Sequence, residues 1–398
     1  MSPAALGVAG ATVVAAGWVG FATGPGDDEA RAAAENQAAS ARQAGPADVA
    51  PAALSVPDGA TDVSPEGPVT VTAPPGERVG AVELAYRTES VPGVFSADRR
   101  TWSSCGPLRA GVSYELSAVT LNAAGRTGLQ ESEFSTGRPN DPLKIALIAP
   151  GDGAVVGVGQ PVVLSFARPI APRARESIER ALTVASDPPQ PGRWSWLSAS
   201  RVDYRPQSFW RPGTRVSVRM ELNGLGDGYG HYVAADHGVS FTVSRDQETT
   251  IDLKTHEAAV RRSGQVVRTF AVTGGMPGLD TWGGTFAVID KSPDVRMDSR
   301  TAGLGDAYDI PDVKWDVHIT YSGTYVHSAP WSVYAQGVRN VSHGCVGASP
   351  VNAEWFFANT LPGDVVRVIN SPRQVSPGNG FADWQESWSH WLAGSATS

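Results

Sequence analysis

Cysteine is almost missing from this chain: 398 residues carry only Cys105 and Cys345. That excludes a disulfide framework of the kind that staples small exported domains, because two thiols can close at most one bridge. Lysine is nearly as scarce. Lys144, Lys254, Lys291 and Lys314 are the whole complement, and arginine supplies the rest of the 32 basic residues. No basic run forms, no basic patch interleaves with aromatics, and the net charge is −8, so nucleic acid is excluded as a partner. Clusters of His, Cys, Asp and Glu at ligand spacing are absent too. His231 and His237 sit in a Gly-rich loop with no Cys or HExxH partner, so no metal is expected. Helix-length apolar periodicity is equally rare.

What is abundant is Gly (44) and Pro (30), within a chain that is 41% hydrophobic and long enough for several cored domains. Short strands joined by turns follow from that mixture, and the fold class expected is mainly β. From Pro3 to Pro25 no residue is charged, and the run is apolar or small. Roughly 20 such residues can cross a bilayer as a helix. Residues 1–25 are therefore expected to be a signal peptide or membrane anchor, and the Ala-rich, polar stretch 26–48 a linker. An extracytoplasmic location in the cell envelope follows. Cys105 is expected to be a buried structural thiol and Cys345 a free one, because a bridge would silence a reactive sulfur.

Period-two segments then recur. Val69–Thr72, Ala81–Tyr86 and Tyr114–Val119 predict a first immunoglobulin-like β-sandwich over residues 49–142. Lys144–Pro150, Val162–Phe166, Arg215–Met220 and Val239–Val243 predict a second over 143–247, with a short helix at Arg175–Leu182. A third, β-rich domain spans 248–371. It holds a hairpin turning at Ser263-Gly264, strands at Gly284–Ile289, Trp315–Thr320 and Val365–Ile369, and a helix from Pro350 to Asn359 capped by Ser349. In the C-terminal extension, 372–398, Trp384, Trp388 and Trp391 recur at helical spacing, which predicts a helix packing its indoles on the domain.

The chemistry lies in His327-Ser328-Ala329-Pro330-Trp331 and Ser342-His343-Gly344-Cys345. A thiol attacks carbonyls as thiolate, so a nearby imidazole must take its proton and a third group must orient that imidazole. His327 is the candidate base, and a backbone or side-chain oxygen of Ser328 the orienter. Gly344 permits a tight turn that would aim the amides of His343, Gly344 and Cys345 at an oxyanion.

These residues resemble the signature of the L,D-transpeptidases, whose catalytic domain is called YkuD. The resemblance spans about residues 250–369 and includes Gly284-Thr285-Phe286. Phe209–Thr214 is similar to the immunoglobulin-like domain that precedes the catalytic domain in actinobacterial members. It implies Cys345 as acylated nucleophile, His327 as base and Ser328 as third member, with His343 and Gly344 in the oxyanion loop. Met297 and Tyr308 would lie on a flap over the substrate, and Trp331, Asn340 and Ser342 would line the pocket. The implied partners are peptidoglycan stem peptides, a donor tetrapeptide and an acceptor stem, with carbapenem β-lactams as covalent inhibitors. The implied reaction is a 3→3 cross-link that releases the terminal D-alanine and needs no cofactor. The family pattern usually has Asn two residues after the cysteine, where this chain has Gly347. Two other readings of the same residues are an L,D-carboxypeptidase and an inactive wall-binding scaffold.

Overall fold

The computed structural model describes residues 49–302 and 305–397, so the expected anchor (1–25) and linker (26–48) lie outside the described residues. None of the described helices is long and apolar enough to cross a membrane. The described residues divide into two compact units, the first drawn from 49–63, 68–106 and 112–135. That unit holds two four-stranded sheets. Alternation builds them: in Ser113–Leu121, Tyr114, Leu116 and Ala118 turn inward while Ser113 and Glu115 stay exposed. Cys105 departs from expectation. It is free and exposed, because it follows the inward-facing Ser104 and enters a turn at Gly106.

The second unit takes in residues from 136 onward, with 64–67 and 107–111. Its first part is a sandwich whose two sheets each have four strands. Val216 and Val218 from one sheet and Val162, Leu164 and Val202 from the other share a single apolar core. The expected short helix occurs as Pro172–Arg180, two to three residues earlier than the pattern placed it.

The second part is built on a nine-stranded sheet. Its strands run in the order Gly284–Ala287, Val365–Ile369, Gln247–Asp252, Glu257–Arg262, Gln265–Thr273, Val346–Ala348, Thr324–Ser328, Asp309–Thr320, Asp290–Asp298. The Ser263-Gly264 hairpin forms as expected, with both residues at positive φ (48° and 79°) as a two-residue turn between twisted strands requires. The helix Pro350–Ala358 starts where Ser349 accepts a hydrogen bond from the Asn352 N–H and Pro350 presets the first turn. It packs Ala353 and Phe356 onto a core of Val317, Ile319, Val326, Val346 and Ala348. One face of the central strands is thereby committed to the core. Side chains of opposite parity must face the other way.

The C-terminal extension differs from its pattern. Only Trp388–Ala393 is helical, while Trp384 sits in a separate 3-10 turn. The indoles pack on the preceding sandwich: Trp384 donates to the Gly159 carbonyl at 2.7 Å and Trp391 to that of Arg193 at 2.9 Å. The buried Arg205 guanidinium lies within 4.5–5.3 Å of the three indole centroids. Periodicity shows that indoles share a side; it does not show which surface receives them.

Candidate active site

His327 lies on Thr324–Ser328, which pairs in parallel with Val346–Ala348: Val326 faces Val346, His327 faces Gly347 and Ser328 faces Ala348. Since Val326, Val346 and Ala348 belong to the core, His327 and Gly347 point to the opposite face. Cys345, two residues before Gly347, returns to that same face, so register brings sulfur and imidazole to adjacent strands on one side of the sheet.

The imidazole is buried, and its Nδ1 lies 2.9 Å from the carbonyl oxygen of Ser328. A carbonyl only accepts, so Nδ1 carries the proton and Nε2 is left with a free lone pair. Of the two Ser328 oxygens proposed as orienter, the backbone one is in place. Burial pushes His327 down to about 4, against a small opposing effect of the Ser328 carbonyl. Burial likewise pushes the Cys345 thiol up to about 11; the Tyr325 N–H opposes this and the Asp316 charge adds to it. At rest the Cys345 thiol donates to the Gly323 carbonyl at 3.5 Å. Burial thus holds both thiol and imidazole toward their neutral forms.

Around them lies a cavity of about 270 Å³ whose walls include His327, Cys345, Met297, Tyr308, Trp331, Ser342 and His343. Met297 and Tyr308 come from the end of the hairpin formed by Asp290–Asp298 and Asp309–Thr320. The Tyr308 ring meets His343 edge-on at 5.1 Å, and Trp331 lies 5.9 Å from the His327 ring. The cavity is also lined by Gly347, and by Ile310 and Tyr334, which the motif reading did not single out.

Two expected site residues take other parts. Asn340 does not line the cavity. Its side chain accepts from the Gly274 N–H at 2.9 Å, meets His256 Nδ1 at 3.1 Å and donates to the Leu253 carbonyl at 2.9 Å, so it ties the Gly274 backbone to the turn that holds Leu253 and His256. The Gly344 N–H is not free for an oxyanion, because it donates to Ser342 Oγ at 3.1 Å while that hydroxyl donates to the Cys345 carbonyl at 2.6 Å. Ser342 is therefore the staple of the loop. Gly344 sits at φ 124°, and only the Leu279 carbonyl would lie near an added Cβ, at 3.7 Å. Its glycine is required by backbone conformation, not by space.

Residues 246–368 match the model of the L,D-transpeptidase catalytic domain, YkuD, and residues 60–226 that of a bacterial Ig domain. L,D-transpeptidase 2 of Mycobacterium tuberculosis is 37% identical over 347 residues, covering 86% of this chain and 84% of that protein. The chain belongs to the L,D-transpeptidase family. Another relative, L,D-transpeptidase 5 of Mycobacterium tuberculosis, is 32% identical over 85% of this chain and 75% of its own length. Among solved structures, an LD transpeptidase in complex with imipenem aligns with 57% of this chain and 100% of its own, at 34% identity and a TM-score of 0.48. The thiol and imidazole described above lie within the stretch matched to the transpeptidase catalytic domain.

Proposed function

We propose that this transpeptidase joins peptidoglycan stems by 3→3 cross-links, with Cys345 as nucleophile and His327 as base. The observation that carries the reading is the strand register that sets a neutral thiol beside an imidazole whose Nδ1 is tied to the Ser328 carbonyl. Cys345 Sγ attacks the carbonyl carbon of the third residue of a donor tetrapeptide, and its proton passes to His327 Nε2. Collapse of the tetrahedral adduct breaks the amide, and the departing D-alanine nitrogen takes that proton. The side-chain amine of an acceptor stem then attacks the thioester, gives its proton to His327, and releases the sulfur, which recovers it. One amide is made for one broken, with no redox change.

Met297, Tyr308 and Trp331 supply the apolar walls for the stem, and His343, braced by Tyr308, belongs to the loop around the oxyanion. Carbapenems would acylate the same thiol as strained acyl donors; a solved relative is described in complex with imipenem. The first unit and the second sandwich serve as spacers or docking surfaces behind an N-terminal membrane anchor. The domain thereby acts outside the plasma membrane, where wall cross-links sustain cell shape.

Incubation with a tetrapeptide stem, followed by mass spectrometry of the products, tests this. Cross-linked dimer with released D-alanine is expected. Tripeptide without dimer would replace cross-linking by hydrolysis, and unchanged tetrapeptide would leave a scaffold.

A further inference from the structure

Asp316, on Asp309–Thr320, is wholly buried, and neither of its carboxylate oxygens has a hydrogen-bond partner among the described residues. A buried carboxylate without a donor is costly, so one that persists calls for a role. The sheet fixes its place. Thr324–Ser328, the strand of His327, runs between Val346–Ala348 and Asp309–Thr320. His318 pairs with Tyr325 and Val317 with Val326; the pairing ends there, and Asp316 and His327 are the next residues of the two neighbouring strands. Val317 and Ile319 belong to the core, so Asp316 faces the other way, with Tyr325, His327 and Cys345.

The remaining charged and titratable groups of that face are accounted for. On the outer strand, Ser292 stands opposite Asp316, while Asp294 pairs with Lys314 at 3.5 Å and Asp290 with His318 at 3.4 Å. The His318 ring stacks on Tyr325 at 4.4 Å. Tyr308 lies beyond, against His343.

We propose that Asp316 is a positioning residue of the proton transfer, whose carboxylate supports the imidazolium that His327 becomes when it takes the Cys345 proton. The inference rests on the roles given above to Cys345 and His327. A charge at Asp316 favours the imidazolium and opposes the thiolate. The same charge also reaches the Cys345 sulfur, which lies against the Gly323 carbonyl at the start of the His327 strand and whose pKa it raises; in the proposed role, support of the imidazolium outweighs this and the ion pair gains. Burial first, then the Asp294 charge, pushes the Asp316 carboxyl up to about 7, with Lys314 opposing. The support is therefore absent below neutrality and present above it. His327 at about 4 and Cys345 at about 11 stay neutral across that interval, which leaves a limb near pH 7 to Asp316.

The test is the rate of imipenem acylation of the full chain from pH 5 to 9, read by intact mass in amine-free buffer. No acceptor amine then contributes a titration. The wild-type rate should rise about tenfold through pH 7, as a one-unit effect on the proton transfer gives. Asp316→Asn should stay acylatable, near the wild-type's low-pH rate, without the limb. His318→Gln and His343→Gln should keep the limb whatever their absolute rates. A wild-type profile flat through pH 7 would overturn the inference, with no variant needed. A limb that survives in Asp316→Asn, or vanishes in either histidine variant, would overturn it too. Absence of any acylation of the wild type at every pH would instead count against Cys345 itself.

Discussion

Gly347 occupies a position where a side chain has nowhere to go. A Cβ there would lie 2.8 Å from the Ala329 Cβ and 3.2 Å from a Thr273 methyl, and neither neighbour can swing aside as the end of a long chain could. The family pattern usually carries Asn at this place, so the pocket floor here is shaped by glycine and by Ala329 lying close over it. Overpacking of this sort costs about 1–3 kcal/mol. Gly347→Asn is therefore expected to lower the melting temperature, and adding Ala329→Gly to restore part of the loss. Equal melting temperatures for Gly347→Asn and the wild type would contradict the account of the floor. At the same scale, the neutral resting pair of Cys345 and His327 means that the sulfur is not a standing thiolate. In the proposed reaction it becomes reactive only as a carbonyl arrives and the proton leaves.

The element that holds Cys345 from behind is the turn Tyr321–Gly323, whose last carbonyl accepts the Cys345 thiol. The C-terminal extension holds this turn: Ser322 N–H donates to Asn379 Oδ1 at 3.0 Å, and Asn379 returns a bond to Ser322 Oγ at 3.0 Å. The sandwich in turn grips the extension through the buried Arg201, which forks onto Asp203 and donates to the Gly378 and Gly380 carbonyls, each at 3.0 Å. Asp383 is buried beside the same group. Burial, then the neighbouring Asp203 charge, raises its pKa well above the ordinary 3.8, although Arg201 opposes this. Its folded value exceeds its unfolded one, so its contribution is complete at low pH and is lost as pH rises toward the raised value. Each pH unit in that interval costs about 1.4 kcal/mol. Asp383→Asn keeps the neutral shape without that loss. Its melting temperature should match the wild type's near pH 4 and exceed it increasingly as pH rises. A gap independent of pH would show that Asp383 does not titrate this way.

Across the whole molecule, the sequence disclosed what depends on local pattern and hid what depends on distant contact. The mainly β class, the Ser263-Gly264 hairpin and the Ser349-capped helix were legible because alternation, turn chemistry and caps are written within a few residues. His327 and Cys345 stood out as candidates because thiol chemistry needs those side chains in a recognisable context, and both line one cavity. Asn340 was misplaced in the pocket because its partners, Leu253, His256 and Gly274, lie far away in the chain. The three-residue strand Val346–Ala348 is too short to show alternation, yet it is what aligns sulfur with imidazole. Asp316 carries no motif at all; only the order of strands sets it beside the strand of His327. The indoles of the extension were correctly grouped, but the sandwich that receives them could not be read from their spacing.

The claim on which this assembly rests is that one sulfur, Cys345, is the acylated atom, while the exposed Cys105 is a bystander. Intact-mass analysis of the full chain after exposure to imipenem tests it most directly. The wild type and Cys105→Ala should each gain one adduct, and Cys345→Ala none. An adduct that survives in Cys345→Ala, or is lost in Cys105→Ala, would contradict it.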